Sequence, residues 1–296
     1  MIGLKRTSVL VAAAGLWLCS AALAEDYEIR LNRPMKVGDT YQVSATGNET
    51  RKTRVMAGDQ EISGQSESLA MELEAAVKVL AVDANATPSQ VTLTVAKCLK
   101  VEGDTKTPLV PKDTVVAASL KDRKPFFEIN GAPVDPEVQK ALAIAITLGK
   151  GGANPDQAFG TTQRKKVGDR WTINADLTTE AMRKDGLEAK KEDVTGFLTI
   201  EKIVKVEETE CLQLGAELNI ANINGAVPAG FALDKATFQS RITSVLPVNT
   251  ALPPRGMSGD FTVTFILKGK PNPDGPEIVV ETVGTRHVTT KMTYPK

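Results

Sequence analysis

Histidine is almost missing from this sequence: His287 is the only one among 296 residues. Zinc sites gather three or four ligands from cysteine, histidine and carboxylates. Only Cys19, Cys98 and Cys211 join that histidine, so neither a metal site nor a cofactor is expected. A Ser-His-Asp arrangement would have to use His287, and no G-x-S-x-G elbow accompanies it. Val288, Thr290 and Met292 share one parity of an alternating stretch, His287, Thr289 and Lys291 the other. A solvated strand position explains His287 more simply than catalysis, and no catalytic residue is expected.

Aromatics are scarce as well, at 4% with two tryptophans, which argues against sugar grooves built on stacked rings. Neither charge sign dominates, with 36 basic and 36 acidic residues. Nucleic acid is a poor partner for such a surface. The glycine cluster Gly149-Lys150-Gly151-Gly152 follows a predicted helix, whereas phosphate loops precede one; it reads as a helix end and linker. Asp39 and Asp169, each after a turn glycine, suit turn chemistry better than acid–base work.

What is present begins with an address. Lys5 and Arg6 precede the apolar run Val9 to Leu18, and Ala22-x-Ala24 is a small-x-small cleavage pattern. Residues 1–24 read as a secretory signal peptide, too short for a membrane span. Lipidation at Cys19 is the minor alternative, because Leu18 is not the small residue such sites want. The remainder is expected to be periplasmic or secreted, with no integral membrane segment. In that oxidising setting the even count of Cys98 and Cys211 permits a disulfide; both fall on the polar parity of their strands, opposite Val91, Leu93 and Val95 and opposite Leu212, Leu214 and Leu218.

The motif KVGD occurs twice, at Lys36–Asp39 and Lys166–Asp169. Tyr41, Val43 and Ala45 follow the first copy at alternate positions, and Trp171, Ile173 and Ala175 follow the second. Gly-Asp suits a turn, and period two suits a strand with one buried face. Each copy therefore predicts a turn launching a strand. Residues 69–82 fit helical spacing but also alternate without a break, and the branched-residue-rich Phe197–Val206 in the second copy decides for strand. Further strands are predicted at 91–101, 212–220, 237–246, 260–268, 277–283 and 286–294. One helix is clear, near 136–148, with Asp135 as N-cap, Pro136 in its first turn and Gly149 at its end.

The predicted fold is thus mainly β, with two tandem, related, long-stranded, curved antiparallel sheets or half-barrels. A first β unit covers 25–150 and ends in the helix; a second covers 151–296. Phe126 and Phe127, with Leu142 and Ile146 on the helix stripe, are candidates to line a ligand groove, against a plainer reading as core packing.

The leader, the F-x-I-N-G-x-x-V stretch at Phe127–Val134 and the K-V-G-D-x-W opening resemble uncharacterised exported bacterial proteins of the planctomycete type. That resemblance implies an envelope or secreted protein and carries no catalytic residues. Long strands around a helix also look like lipoprotein-carrier half-barrels, in shape only. The expectation is an exported, non-enzymatic envelope protein binding a lipid-like or other apolar ligand in a β concavity. The alternatives are a structural or assembly protein that meets another envelope protein and, third, a carboxylate-dependent hydrolase.

Overall fold

The two KVGD turns are built alike. Asp39 Oδ2 accepts from the Lys36 amide at 2.8 Å, and Asp169 Oδ2 from the Lys166 amide at 2.9 Å. Gly38 and Gly168 sit at φ +94° and +91°, a region that glycine enters without steric cost. Their amides donate to the carbonyls of Val79 and Ile200, at 2.9 and 2.8 Å. Each turn therefore hooks its launching strand onto the next long strand at an equivalent place.

The computed structural model describes residues 25–184, 186–272 and 275–295. Residues 1–24, where a signal peptide is expected, and Cys19 among them lie outside these residues. The strands are β1 (Thr40–Ala57), β2 (Gln60–Val82), β3 (Pro88–Glu102), β4 (Thr105–Pro108), β5 (Val115–Lys121), β6 (Lys124–Ile129) and β7 (Ala132–Pro133). After helices α1 (Pro136–Ala145) and α2 (Pro155–Ala158) come β8 (Arg170–Thr172), α3 (Ala175–Lys184) and a 3-10 turn at Lys191–Asp193. The chain then runs through β9 (Val194–Val206), β10 (Thr209–Ile220), β11 (Phe231–Pro247), β12 (Gly256–Gly269) and β13 (Ile278–Thr293).

The mainly β, antiparallel prediction holds, and residues 69–82 are strand. The strands do not form two separate sheets, however. They make one open sheet in the order β7-β6-β5-β3-β2-β1-β13-β12-β11-β10-β9-β8, with β4 on the flank of β3. The join is β1 with β13, paired from Gln42↔Thr293 to Ala57↔Ile278. The strand after the first KVGD thus meets the last strand of the chain. Gly284 lies inside β13, which is one strand over 278–293 rather than the two predicted.

α1 lies across β1, β2 and β13. It can approach because Gly47, directly beneath, has no side chain; a Cβ there would collide with Ile144 Cγ2. Under the helix, Met71, Leu73, Val77, Leu93, Val116, Phe127 and Leu142 are buried in one core. Burial of one such side chain contributes about 1.5–3 kcal/mol. The sheet face that carries α1 is called the inner face below.

The helix stops at Ala145, three residues earlier than predicted. Ile146 is extended at φ −107°, and buried Ile146 and Leu148 continue the chain in alternation. Gly149 is not a left-handed cap. Its amide bonds Pro88 O at 2.7 Å, and a Cβ would meet Thr87 Cβ at 2.8 Å; the glycine permits that close approach.

Two further helices escaped the prediction, the single turn α2 and the longer α3. The strand after the second KVGD ends at Thr172, and Asn174 Oδ1 accepts from the Leu177 amide at 3.2 Å, capping α3. α3 and the segment around Leu187 cover Val194, Ile220 and Ala236. A third cluster gathers Tyr27, Ile29, Trp171, Leu198, Ile200, Leu212, Leu214 and Leu246. Trp171 Nε1 donates to Phe159 O at 2.8 Å.

Candidate functional site

The inner face is covered at both ends and bare between them. Pairing of β1, β13, β12 and β11 aligns three rows of side chains across that interval. One row is Glu49–Arg286–Phe261–Ser240, the next Arg51–Gly284–Val263–Phe238, the third Thr53–Thr282–Phe265–Ala236. Strands alternate sides with period two, so all three rows face the same way. In the middle row, Gly284 leaves a gap that a side chain would fill, since a Cβ would lie 3.0 Å from Val263 Cγ1. The result is a trough of about 590 Å³, lined by Phe238, Phe261, Val263, Phe265 and Gly284. Ligand pockets commonly fall between about 300 and 1,000 Å³.

The trough is flanked by packed regions. Phe261 leans on the core under α1, while Phe238 and Phe265 lean on the cluster beside α3. The rings of Phe238 and Phe261 are 6.4 Å apart and tilted by 37°, within the range of favourable aromatic pairs. These phenylalanines are only partly buried. At the β1 end of the trough Arg286 Nε pairs with Glu49 Oε2 at 3.1 Å, and its Nη2 donates to Ala143 O at 3.2 Å. A second hollow of about 550 Å³ along α1 shares Glu49 and Arg51 with the trough and adds Glu67, Leu69, Glu137, Lys140 and Ile144.

The residues weighed between groove lining and core packing fall elsewhere. Phe127, Leu142 and Ile146 are buried in the core under α1. Phe126, one residue along β6, takes the opposite parity, with Lys121 Nζ 5.3 Å from its ring centroid. Sequence reasoning missed the trough phenylalanines because alternating Phe261, Val263 and Phe265 read as an ordinary core-facing strand. The signal that could have found them is Gly284, a glycine inside an otherwise continuous strand pattern.

Cys98 and Cys211 are free and buried. Cys98 was expected on the parity opposite Val91, Leu93 and Val95. A register shift between Glu74 and Ala75 puts an extra residue into β3, which turns Cys98 inward beside them. Burial raises its thiol pKa to about 11. Cys211 is the third residue of β10, paired with Pro247 of β11. Burial raises this thiol too, against the nearby Arg255 charge.

His287 lies opposite Asp260 across β13 and β12, with Nδ1 2.7 Å from Asp260 Oδ1 and Nε2 3.3 Å from Thr289 Oγ1. The order resembles a hydrolytic relay, but both residues stand exposed on the outer face of a strand ladder. Backbone amides there are engaged between strands, leaving no ready oxyanion donors. A cross-strand polar pair accounts for the contacts. Glu72 is held below the usual carboxylate range by its hydrogen bond from Lys106 and a second from Lys97, which suits ion pairing and not proton donation. Among the described residues no cluster of three His, Cys, Asp or Glu side chains is placed to hold a metal. No helix among them is long and apolar enough to cross a membrane.

No family model matches the chain, and no curated protein matches it. Twenty chains of solved structures do. One, from a structure of lipid–protein interactions in lipovitellin, is 9% identical with a TM-score of 0.33, over 88% of this chain. This protein spans 26% of that lipovitellin chain, about a quarter. A mutant of the TodX monoaromatic hydrocarbon channel is 6% identical with a TM-score of 0.22, over 92% of this chain and 96% of the other. A second TodX mutant gives 0.18 at 6% identity, over 88% and 91%. Likeness of this degree carries no argument about ligand or family.

Proposed function

We propose that this is an exported, non-enzymatic protein of the cell envelope that binds a lipid-like or other apolar small molecule in the trough over β11, β12 and β13. The observation behind the reading is the interrupted cover of the inner face: packed cores on both sides, and between them Phe238, Phe261, Val263 and Phe265 around the gap at Gly284. An apolar surface kept open in this way binds by removing ring and aliphatic area from water, at about 25 cal/mol per Å². Export is supported by the leader pattern in residues 5–24.

The test is binding of a hydrophobic fluorescent probe to the protein and to Gly284→Leu and Phe261→Asp. The reading expects bright, displaceable binding to the parent and none to either variant at equal thermal stability. Equal binding by all three would remove the trough from the account.

A second reading, an envelope assembly role, is favoured by the far end of the β1–β2 hairpin. Residues Gln60 to Ser68 of β2 are exposed throughout, so both faces of that strand segment stand ready for a partner protein. Trimming the hairpin between Arg54 and Gln65 separates the two: the assembly role would be lost and probe binding kept.

A further inference from the structure

We infer that the ligand of this trough is a single-chain amphiphile with an anionic head, its tail on Phe238, Phe261 and Phe265 and its head at Arg51. The inference rests on the trough reading above and adds orientation and charge to it.

Charges at the β1 end of the trough and in the adjoining hollow are paired with one exception. The acidic residues there are Glu49, Glu67 and Glu137. Each has a cation: Glu49 has Arg286 at 3.1 Å, Glu67 has Lys140 at 3.7 Å, and Glu137 has Lys100 at 2.7 Å, a lysine it shares with Glu102 at 2.8 Å outside the hollow. Arg51 is left over. It borders both hollows, is exposed, and makes no ion pair among the described residues. Its neighbour across the ladder is Glu67, whose carboxylate is turned to Lys140 instead.

The register fixes how a ligand would lie. Arg51, Gly284, Val263 and Phe238 form one row across four adjacent strands. Three steps of about 4.8 Å make that row roughly 14 Å long. Its order is one guanidinium, then a glycine gap, then an aliphatic and an aromatic residue, with Phe261 and Phe265 as the walls. That sequence of chemistries matches a carboxylate or phosphate head followed by an alkyl tail. The guanidinium fork suits an oxyanion head, and an apolar wall on one side strengthens the contact relative to open water.

The experiment compares three probes of one tail length, dodecanoate, dodecanol and dodecyltrimethylammonium, by calorimetric titration at low salt below their micelle thresholds. The proteins are the parent and Arg51→Gln. The expected result is dodecanoate binding roughly two- to fivefold tighter than dodecanol, the scale of one solvent-screened ion pair. The cation should bind weakest. In Arg51→Gln the preference for dodecanoate should vanish while dodecanol affinity stays unchanged. Equal binding of dodecanoate and dodecanol to the parent, or a preference that survives Arg51→Gln, overturns the head assignment and leaves the trough reading standing. Failure of all three probes to bind the parent overturns the trough reading itself.

Discussion

Gly47 and Gly284 sit on neighbouring strands of the same sheet face, and their surroundings could hardly differ more. Gly47 is roofed by α1, with Ile144 pressed where a side chain would be. Gly284 carries no roof among the described residues and opens a 590 Å³ trough. Gly284 is four residues from Val288, which pairs with Gly47, so about 13 Å of strand separates the two environments. The same residue type serves a packing contact in one place and an opening in the other. What decides the difference is the helix above, and not anything in the strands.

The comparison can be broken most forcefully in the covered region. Phe127→Ala empties the fully buried centre of the core and should cost roughly 3–5 kcal/mol in denaturant unfolding; Gly47→Leu drives a side chain into Ile144 under α1 and should cost about 3 kcal/mol. Gly284→Leu should cost less, about 1 kcal/mol, since its Cβ presses only on Val263 Cγ1, the far end of a half-buried side chain, and the rest extends into the trough. Comparable losses at the two glycines would mean that the trough is closed in solution.

A smaller effect sharpens the same contrast near the start of β1. Tyr41 and Tyr294 lie 5.5 Å apart, and burial pushes Tyr41 up to about 12 and Tyr294 higher still. Burial and Glu25 raise Tyr27 as well. These are all three tyrosines of the chain. A raised phenol pKa contributes stability that is fully present below the unfolded value near 10 and is lost as pH climbs toward the folded value. The absorbance titration of folded protein should therefore show little tyrosinate at pH 10, where unfolded chain is about half ionised. Half ionisation in the native protein would contradict this packing.

Smaller again are the two turns. Asp39→Ala and Asp169→Ala each remove one bond to a lysine amide, at 2.8 and 2.9 Å, and each should cost about 1 kcal/mol. Near-equal losses by thermal unfolding would support the structural equivalence of the KVGD turns, and a large inequality would weaken it. The smallest change expected is none: Cys98 and Cys211 should resist a thiol reagent at pH 8 in native protein and react fully once unfolded.

The local pieces of this fold were readable from sequence because their causes are local. Gly-Asp marks both turns, and at 69–82, where alternation and helical spacing compete, the branched-residue-rich Phe197–Val206 of the second copy decides for strand. What escaped depends on distant chain. The β1–β13 pairing joins residues between 221 and 251 positions apart, and no pattern in either strand announces it. Cys98 was placed on the wrong side because an added residue in β3 shifts parity there. α3 was hidden by extending the KVGD alternation past Thr172, although Asn174 as cap, Arg183 and Lys184 in the last turn and Gly186 beyond it are helix signals. The trough was the least legible, because its phenylalanines differ from core residues only in having no helix above them.

The most direct measurement places a reporter in the trough. Phe261→Trp puts an indole on its wall, while Trp171 stays buried in a separate cluster as an internal control. Titration with a bromine-labelled dodecanoate should quench the emission of the new tryptophan and leave that of the parent protein unchanged. Saturable binding that fails to quench Trp at position 261, or quenches the parent equally, would contradict a ligand seated between α1 and α3.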